Sequence, residues 1–99
     1  MRPVEFGADA NSDVDLAHGW YETQRPGLGT TFVAAVGTAV GSVERYPEAY
    51  PVVYRGVRRV PLERFPFCLY YRVEPERSVV LACVHAARDP DYWQSRLDD

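Results

Sequence analysis

The apolar positions of this chain change period once. From Val14 to Val43 they recur at helical spacing, and from Val52 to His85 they alternate or run in short blocks cut by turns. The first region reads as two helices. Val14, Ala17, Trp20 and Tyr21 share one stripe that ends at Gln24, where Arg25-Pro26-Gly27-Leu28-Gly29 turns the chain. Phe32, Val36, Val40 and Val43 form a second stripe that starts near Thr30 or Thr31 and is closed by Pro47 and Pro51. Ala35, Gly37, Ala39 and Gly41 between them allow another element to approach, although each interior glycine costs ~1 kcal/mol of helix stability relative to alanine. Upstream, Val4 to Phe6 reads as a short strand, and Ser12 with Asp15 fits a capping box at the start of the first helix.

The second region reads as four strands, Val52 to Arg55, Val57 to Leu62, Phe67 to Val73 and Ser78 to His85, divided by Gly56, Glu63–Pro66 and Glu74–Arg77. Pro61 marks a bulge or a strand with one unpaired side. Asp89-Pro90 then supplies a cap and first position for a short terminal helix carrying Tyr92, Trp93, Arg96 and Leu97. The expected fold class is α+β in one domain over residues 1–99: an N-terminal strand and an antiparallel helix hairpin packed on one face of a mainly antiparallel sheet, followed by a short C-terminal helix.

Turn symmetry sets an expected register, because antiparallel pairing fixes the sum of facing residue numbers. A symmetric turn at Glu74–Arg77 pairs Phe67 with Val84, Leu69 with Ala82 and Tyr71 with Val80, an apolar face joined by Val60 and Leu62. The other face then pairs Cys68 with Cys83, Tyr70 with Leu81 and Arg72 with Val79, sets Arg59 beside Tyr70 and Val57 beside Arg72, and carries His85 at its end. One helix pair covers one side of a sheet. The mixed face of Arg59, Tyr70, Arg72, Leu81 and His85 is therefore expected to stay partly open for a partner.

Composition narrows the class. With 46% hydrophobic and 25% charged residues among 99, the chain has the balance of a globular domain, no run near the ~20 apolar residues of a membrane span, and no signal peptide at Met1-Arg2-Pro3-Val4-Glu5. A cytoplasmic protein is expected. The net charge of −3 argues against broad electrostatic capture of nucleic acid. Carboxylates gather at the two ends, whereas Arg55, Arg58, Arg59, Arg64, Arg72 and Arg77 crowd the middle, so a local basic patch is compatible with the acidic whole. All eleven basic residues are arginine. No C-x-x-C or histidine cluster points to a metal, and no cofactor is expected. Cys68 and Cys83 read as free buried thiols, Trp93 with Tyr92 as an anchor for the last helix, and Trp20 as helix-to-sheet core.

The order of these elements, with W-Y-E-T-Q-R-P-G-L-G-T-T-F at Trp20 to Phe32, E-R-Y-P at the end of the second helix, R-F-P-F-C-L-Y-Y-R-V and V-L-A-C-V-H-A-A-R-D-P-D-Y-W, resembles the RelE/ParE superfamily of bacterial type II toxins. The resemblance implies a cytoplasmic growth inhibitor of the kind tied to plasmid stabilisation, neutralised by a cognate antitoxin in a hetero-oligomer. Two targets divide that superfamily: ParE-like members poison DNA gyrase, and RelE-like members cleave mRNA on the ribosome.

Cleavage needs cations at the scissile phosphate and groups that move protons to and from the ribose and leaving oxygens. The candidates for such chemistry are Arg59, Arg72, His85, Arg88 and Tyr92. Pro61 and Cys68 stand where the resemblance places further basic residues, so gyrase poisoning without catalysis is the first reading. Ribosome-dependent mRNA cleavage and a degenerate, non-toxic antitoxin-binding homologue are the alternatives. Arg59, Tyr70, Arg72, Leu81, His85 and Arg88 are the candidate target- or antitoxin-binding residues. His85 has a plainer role open to it, a hydrogen bond to backbone that fixes the start of the terminal helix.

Overall fold

The computed structural model describes residues 1–97. In chain order it contains β1 (Val4–Phe6), α1 (Ala8–Gln24), α2 (Leu28–Arg45), β2 (Val52–Tyr54), β3 (Val57–Pro61), β4 (Phe67–Val73), β5 (Ser78–His85) and α3 (Asp91–Gln94), closed by a 3-10 turn at Ser95–Leu97. The five strands form one sheet in the order β1-β5-β4-β3-β2, with β1 parallel to β5 and every other pair antiparallel. The α+β class and helix hairpin are those expected.

Both helices begin earlier than their polar signals suggest. Gly7 is the N-cap of α1, so Ser12 and Asp15 lie inside the helix and no capping box operates. Residues Ala10, Asp13 and Ala17 occupy its buried stripe instead. The N-terminus of α2 is held by a side chain from the preceding helix: Glu22 accepts hydrogen bonds from the N–H groups of Gly27 and Gly29 at 2.9 and 3.0 Å. Gly27 itself has φ +88°, a left-handed conformation that suits glycine.

The main core lies between the helix hairpin and the sheet. Phe32, Val36, Ala39 and Val43 from α2 meet Val60, Leu69, Tyr71, Val80 and Cys83 from the sheet. Tyr21 stacks on Phe32 and meets Phe65 edge-on, with centroids 5.3 and 4.8 Å apart. Trp20, expected in this core, is 59% exposed; the stripe of α1 turns through Tyr21 and leaves its neighbour outside. The Tyr71 hydroxyl donates to the Pro47 carbonyl at 2.6 Å, and Arg58 donates to the carbonyls of Glu48 and Tyr50. These bonds fasten the connection between α2 and β2 to the sheet.

Pairing of β3 with β4 follows the turn arithmetic, Arg59 opposite Tyr70 and Val57 opposite Arg72. The β4–β5 hairpin follows it only near its turn. Tyr71 faces Val80 and Arg72 faces Val79, but past a bulge at Leu81 the register moves by one residue, so that Phe67 faces His85, Cys68 faces Val84 and Leu69 faces Cys83. An extra residue in one strand sends every following side chain to the opposite face. Cys83 and His85 thereby join the helix side, while Ala82 and Val84 join Cys68 and Tyr70 on the other. The two cysteines are free, buried, and on different faces.

Candidate functional site

The far face of the sheet is not open. Val57, Cys68, Tyr70, Ala82 and Val84 form a second buried cluster beneath Trp93 of α3. The Trp93 ring stacks on Tyr70 with centroids 4.3 Å apart and planes at 22°, and meets Tyr54 edge-on at 5.8 Å. Tyr70, expected as an accessible contact, is 5% exposed. Burial raises the Tyr70 phenol above its usual range, opposed by a hydrogen bond with the Arg59 side chain, so it stays neutral. Arg59 and Arg72 remain exposed at the border of this cluster, with Arg72 3.5 Å from Glu74. Leu81, half-buried at the bulge, offers its carbonyl to Arg96 at 3.1 Å.

His85, Arg88 and Tyr92 lie elsewhere. They border a groove of about 350 Å³ whose apolar lining is Leu16, Ala17, Trp20, Phe67, Cys83 and Val84. The face shared by Leu16 and Trp20, one turn apart on α1, is 71% and 59% exposed at those residues. Arg88 packs its guanidinium 3.8 Å above the Tyr92 ring, a cation–π contact that holds both side chains at the rim. The His85 ring meets Phe67 at 5.6 Å, and its Nδ1 accepts a hydrogen bond from the Ala87 N–H at 3.0 Å. That bond fixes the exit from β5 at Ala87, ahead of α3.

The sequence candidates thus fall into two separate groups. Arg59, Tyr70, Arg72 and Leu81 belong to the face covered by Trp93, and His85, Arg88 and Tyr92 to the groove beside α1. The expectation that His85 shares a face with Arg59 and Arg72 is overturned by the bulge. A single phosphate-cleaving centre built from all five catalytic candidates is not what this arrangement offers. Among the described residues no group of three or more His, Cys, Asp or Glu side chains is placed to hold a metal ion.

Two residues that join these regions escaped the sequence reading. Asp13, 7% exposed on α1, receives both terminal nitrogens of Arg96, Nη1 to Oδ2 at 2.8 Å and Nη2 to Oδ1 at 3.0 Å. Its Oδ2 also accepts the Cys83 N–H at 2.9 Å. The side-chain hydrogen bond with Asp13 raises the Arg96 pKa further above neutrality. Burial, followed by the Asp13 and Cys68 charges, pushes the Cys83 thiol up to about 12, which makes it inert rather than nucleophilic. A signal for Asp13 was present: it sits at i+3 from Ala10 and four residues before Ala17, on the apolar stripe of its helix.

No functionally curated protein matches the chain. Among solved structures, a chain from the chromosomal ParDE toxin–antitoxin system of P. aeruginosa superposes with a TM-score of 0.76 over 86% of this chain and 96% of that one. The two are 22% identical, so the likeness is one of fold. The sequence model described as the ParE toxin of type II toxin-antitoxin system, parDE, matches residues 4–90, from the first residue of β1 to the one before α3, and the chain therefore belongs to the ParE toxin family.

Proposed function

We propose that the protein is the growth-inhibiting partner of a two-protein system, that it acts in the cytoplasm on DNA gyrase without catalysis, and that a cognate antitoxin neutralises it by laying an apolar segment in the groove beside α1. The observation that carries the gyrase reading is the separation of the cleavage candidates: Arg59 and Arg72 border the face under Trp93, while His85, Arg88 and Tyr92 line the groove beside α1. RNA cleavage requires its cations and proton-transfer groups within reach of the same phosphate. Binding a protein target makes no such demand.

The antitoxin reading rests on the groove. Leu16 and Trp20 are large apolar side chains held in solvent on a fixed helix, beside a cavity large enough for several apolar side chains of a partner. His85 and Arg88 at the rim favour a partner segment that brings a carboxylate.

Induced expression in a bacterial host, with translation, mRNA integrity and plasmid supercoiling followed in parallel, tests the target. Loss of supercoiling with intact mRNA is the expected result. Messages cut within codons would establish cleavage instead, and normal growth would mark a non-toxic homologue.

A further inference from the structure

The segment that follows β5 has no means of standing alone. Four residues of α3 and three of the 3-10 turn fall far below the length at which isolated helices persist in water. Its position depends on where it docks, and it docks at two points. Trp93 lies flat on Tyr70, and Arg96 clasps Asp13 and the Leu81 carbonyl. Among the described residues, Trp93 and Leu97 are the members of the far-side cluster that come from outside the strands. Without them the apolar face of Val57, Cys68, Tyr70, Ala82 and Val84 has no cover.

Neighbouring residues of this segment look in opposite directions. Tyr92 borders the groove shared with Leu16 and Trp20, whereas Trp93 seals the far face. The same seven-residue stretch is a wall of one site and the lid of the other.

We propose that residues 89–97 are a releasable strap, which leaves the sheet as a unit while α1, α2 and the five strands keep their structure, and so uncovers the Val57–Tyr70–Val84 face beside Arg59. Release removes Tyr92 from the groove in the same event. Groove and far face are therefore available in turn, and a ligand that bridges Leu16 and Tyr92 holds the far face shut by mass action. This property belongs to the chain alone and goes beyond the proposed function, since it holds whether the target is gyrase or RNA.

The two cysteines read it out separately. Cys68 is 4% exposed in the cluster under the strap, and Cys83 is 1% exposed under the helices, where it also lines the groove. Strap release lifts Trp93 off Cys68, while Cys83 loses the groove wall at Tyr92 but stays in the core under the helices, so Cys68 is bared far more; global unfolding bares both. The purified protein is treated with excess iodoacetamide over a range of sub-denaturing urea concentrations. Labelling of each cysteine is followed by peptide mass spectrometry and normalised to that cysteine's rate in the unfolded chain. The strap predicts that Cys68 reacts at least ten-fold faster than Cys83 without urea and with a shallower urea dependence. It also predicts that Arg96→Ala raises the Cys68 rate at least ten-fold more than the Cys83 rate. Equal normalised rates with the same urea slope in the wild-type chain would overturn the proposal, and so would an Arg96→Ala effect equal at both cysteines. The wild-type comparison decides the matter even where a variant fails to fold.

Discussion

Asp13 and Arg96 are joined by two parallel hydrogen bonds, 2.8 and 3.0 Å long, between side chains 5% and 17% exposed. The pair also supplies partners for the backbone of β5. Strand β1 accompanies β5 only as far as Val80, and beyond that point Asp13 accepts the Cys83 N–H while Arg96 donates to the Leu81 carbonyl. One bidentate ion pair thus ties the first helix, the bulge and the C-terminal turn together.

Removing either partner strands the other. Asp13→Ala leaves the Cys83 N–H without its acceptor and strips a largely buried guanidinium of its bidentate partner, leaving it the Leu81 carbonyl and the more distant Asp9, and a loss of about 3 kcal/mol is expected in urea unfolding. Arg96→Ala is expected to be costly as well, and the double variant to cost much less than the sum because the two residues share one interaction. Additive losses would show that the pair does not act as a unit.

The two tryptophans separate packing from recognition. Trp93→Ala removes a buried ring that stacks on Tyr70 and is expected to cost about 3–5 kcal/mol. Trp20→Ala alters a ring that is 59% exposed, and a change within about 1 kcal/mol is expected. A melting experiment on the two variants gives the comparison directly.

Leu16→Glu places a charge on the exposed wall of the groove without disturbing the core. The melting temperature is expected to stay within a few degrees of wild type, whereas binding to the cognate antitoxin, measured by calorimetry, weakens by at least ten-fold. Unchanged binding would move the docking surface away from this groove.

Glu22 gives the α1–α2 turn an acid-sensitive clasp. Hydrogen bonds from the Gly27 and then the Gly29 N–H lower its pKa below 4.5 in the folded state. A depressed folded pKa means that the unfolded chain binds more protons near that value, so the stabilisation is fully present above pH 4.5 and disappears as pH falls through the folded pKa. The stability difference between wild type and Glu22→Gln should hold steady from pH 7 to about 5 and shrink at lower pH. A gap independent of pH down to about 3 would rule the clasp out.

Two helical glycines should respond in opposite directions to alanine. A Cβ on Gly29 would lie 2.7 Å from the His18 carbonyl oxygen and 2.9 Å from Glu22 Oε1, so Gly29→Ala is expected to destabilise by about 1–3 kcal/mol. A Cβ on Gly37 would meet no neighbouring element within 4 Å, and Gly37→Ala is expected to stabilise by up to ~1 kcal/mol through helix propensity. Chemical denaturation of both proteins checks the sign.

Much of the fold is legible because its signals are local. Gly, Pro and acidic residues mark the turns, and turn symmetry places Arg59 opposite Tyr70 without any long-range information. The bulge at Leu81 leaves no such trace: V-V-L-A-C-V is apolar on both faces, so no polar position reveals a one-residue slip. From that slip follow the transfer of His85 to the groove and the separation of Cys68 from Cys83. The covering of Tyr70 is hidden for another reason. Trp93 is recognisable as an anchor, but the face it anchors to depends on the path of the chain after His85, and that path is drawn by Asp13, which in sequence looks like one more acidic cap.

The place of β5 between β1 and β4 shapes the order in which this chain can fold. Val4 pairs with Ser78, so closing the sheet makes a contact of long sequence separation whose loop entropy must be met before it contributes. The β2–β3–β4 meander can form as soon as it is synthesised. Strand β1 has no partner strand until β5 leaves the ribosome, and helix α1, which can meet α2 as soon as both are made, keeps its sheet-facing side uncovered until then. The surface that depends on α1 meeting β5 and on Arg96 meeting Asp13 comes into being only after β5 and the segment that follows it have been made.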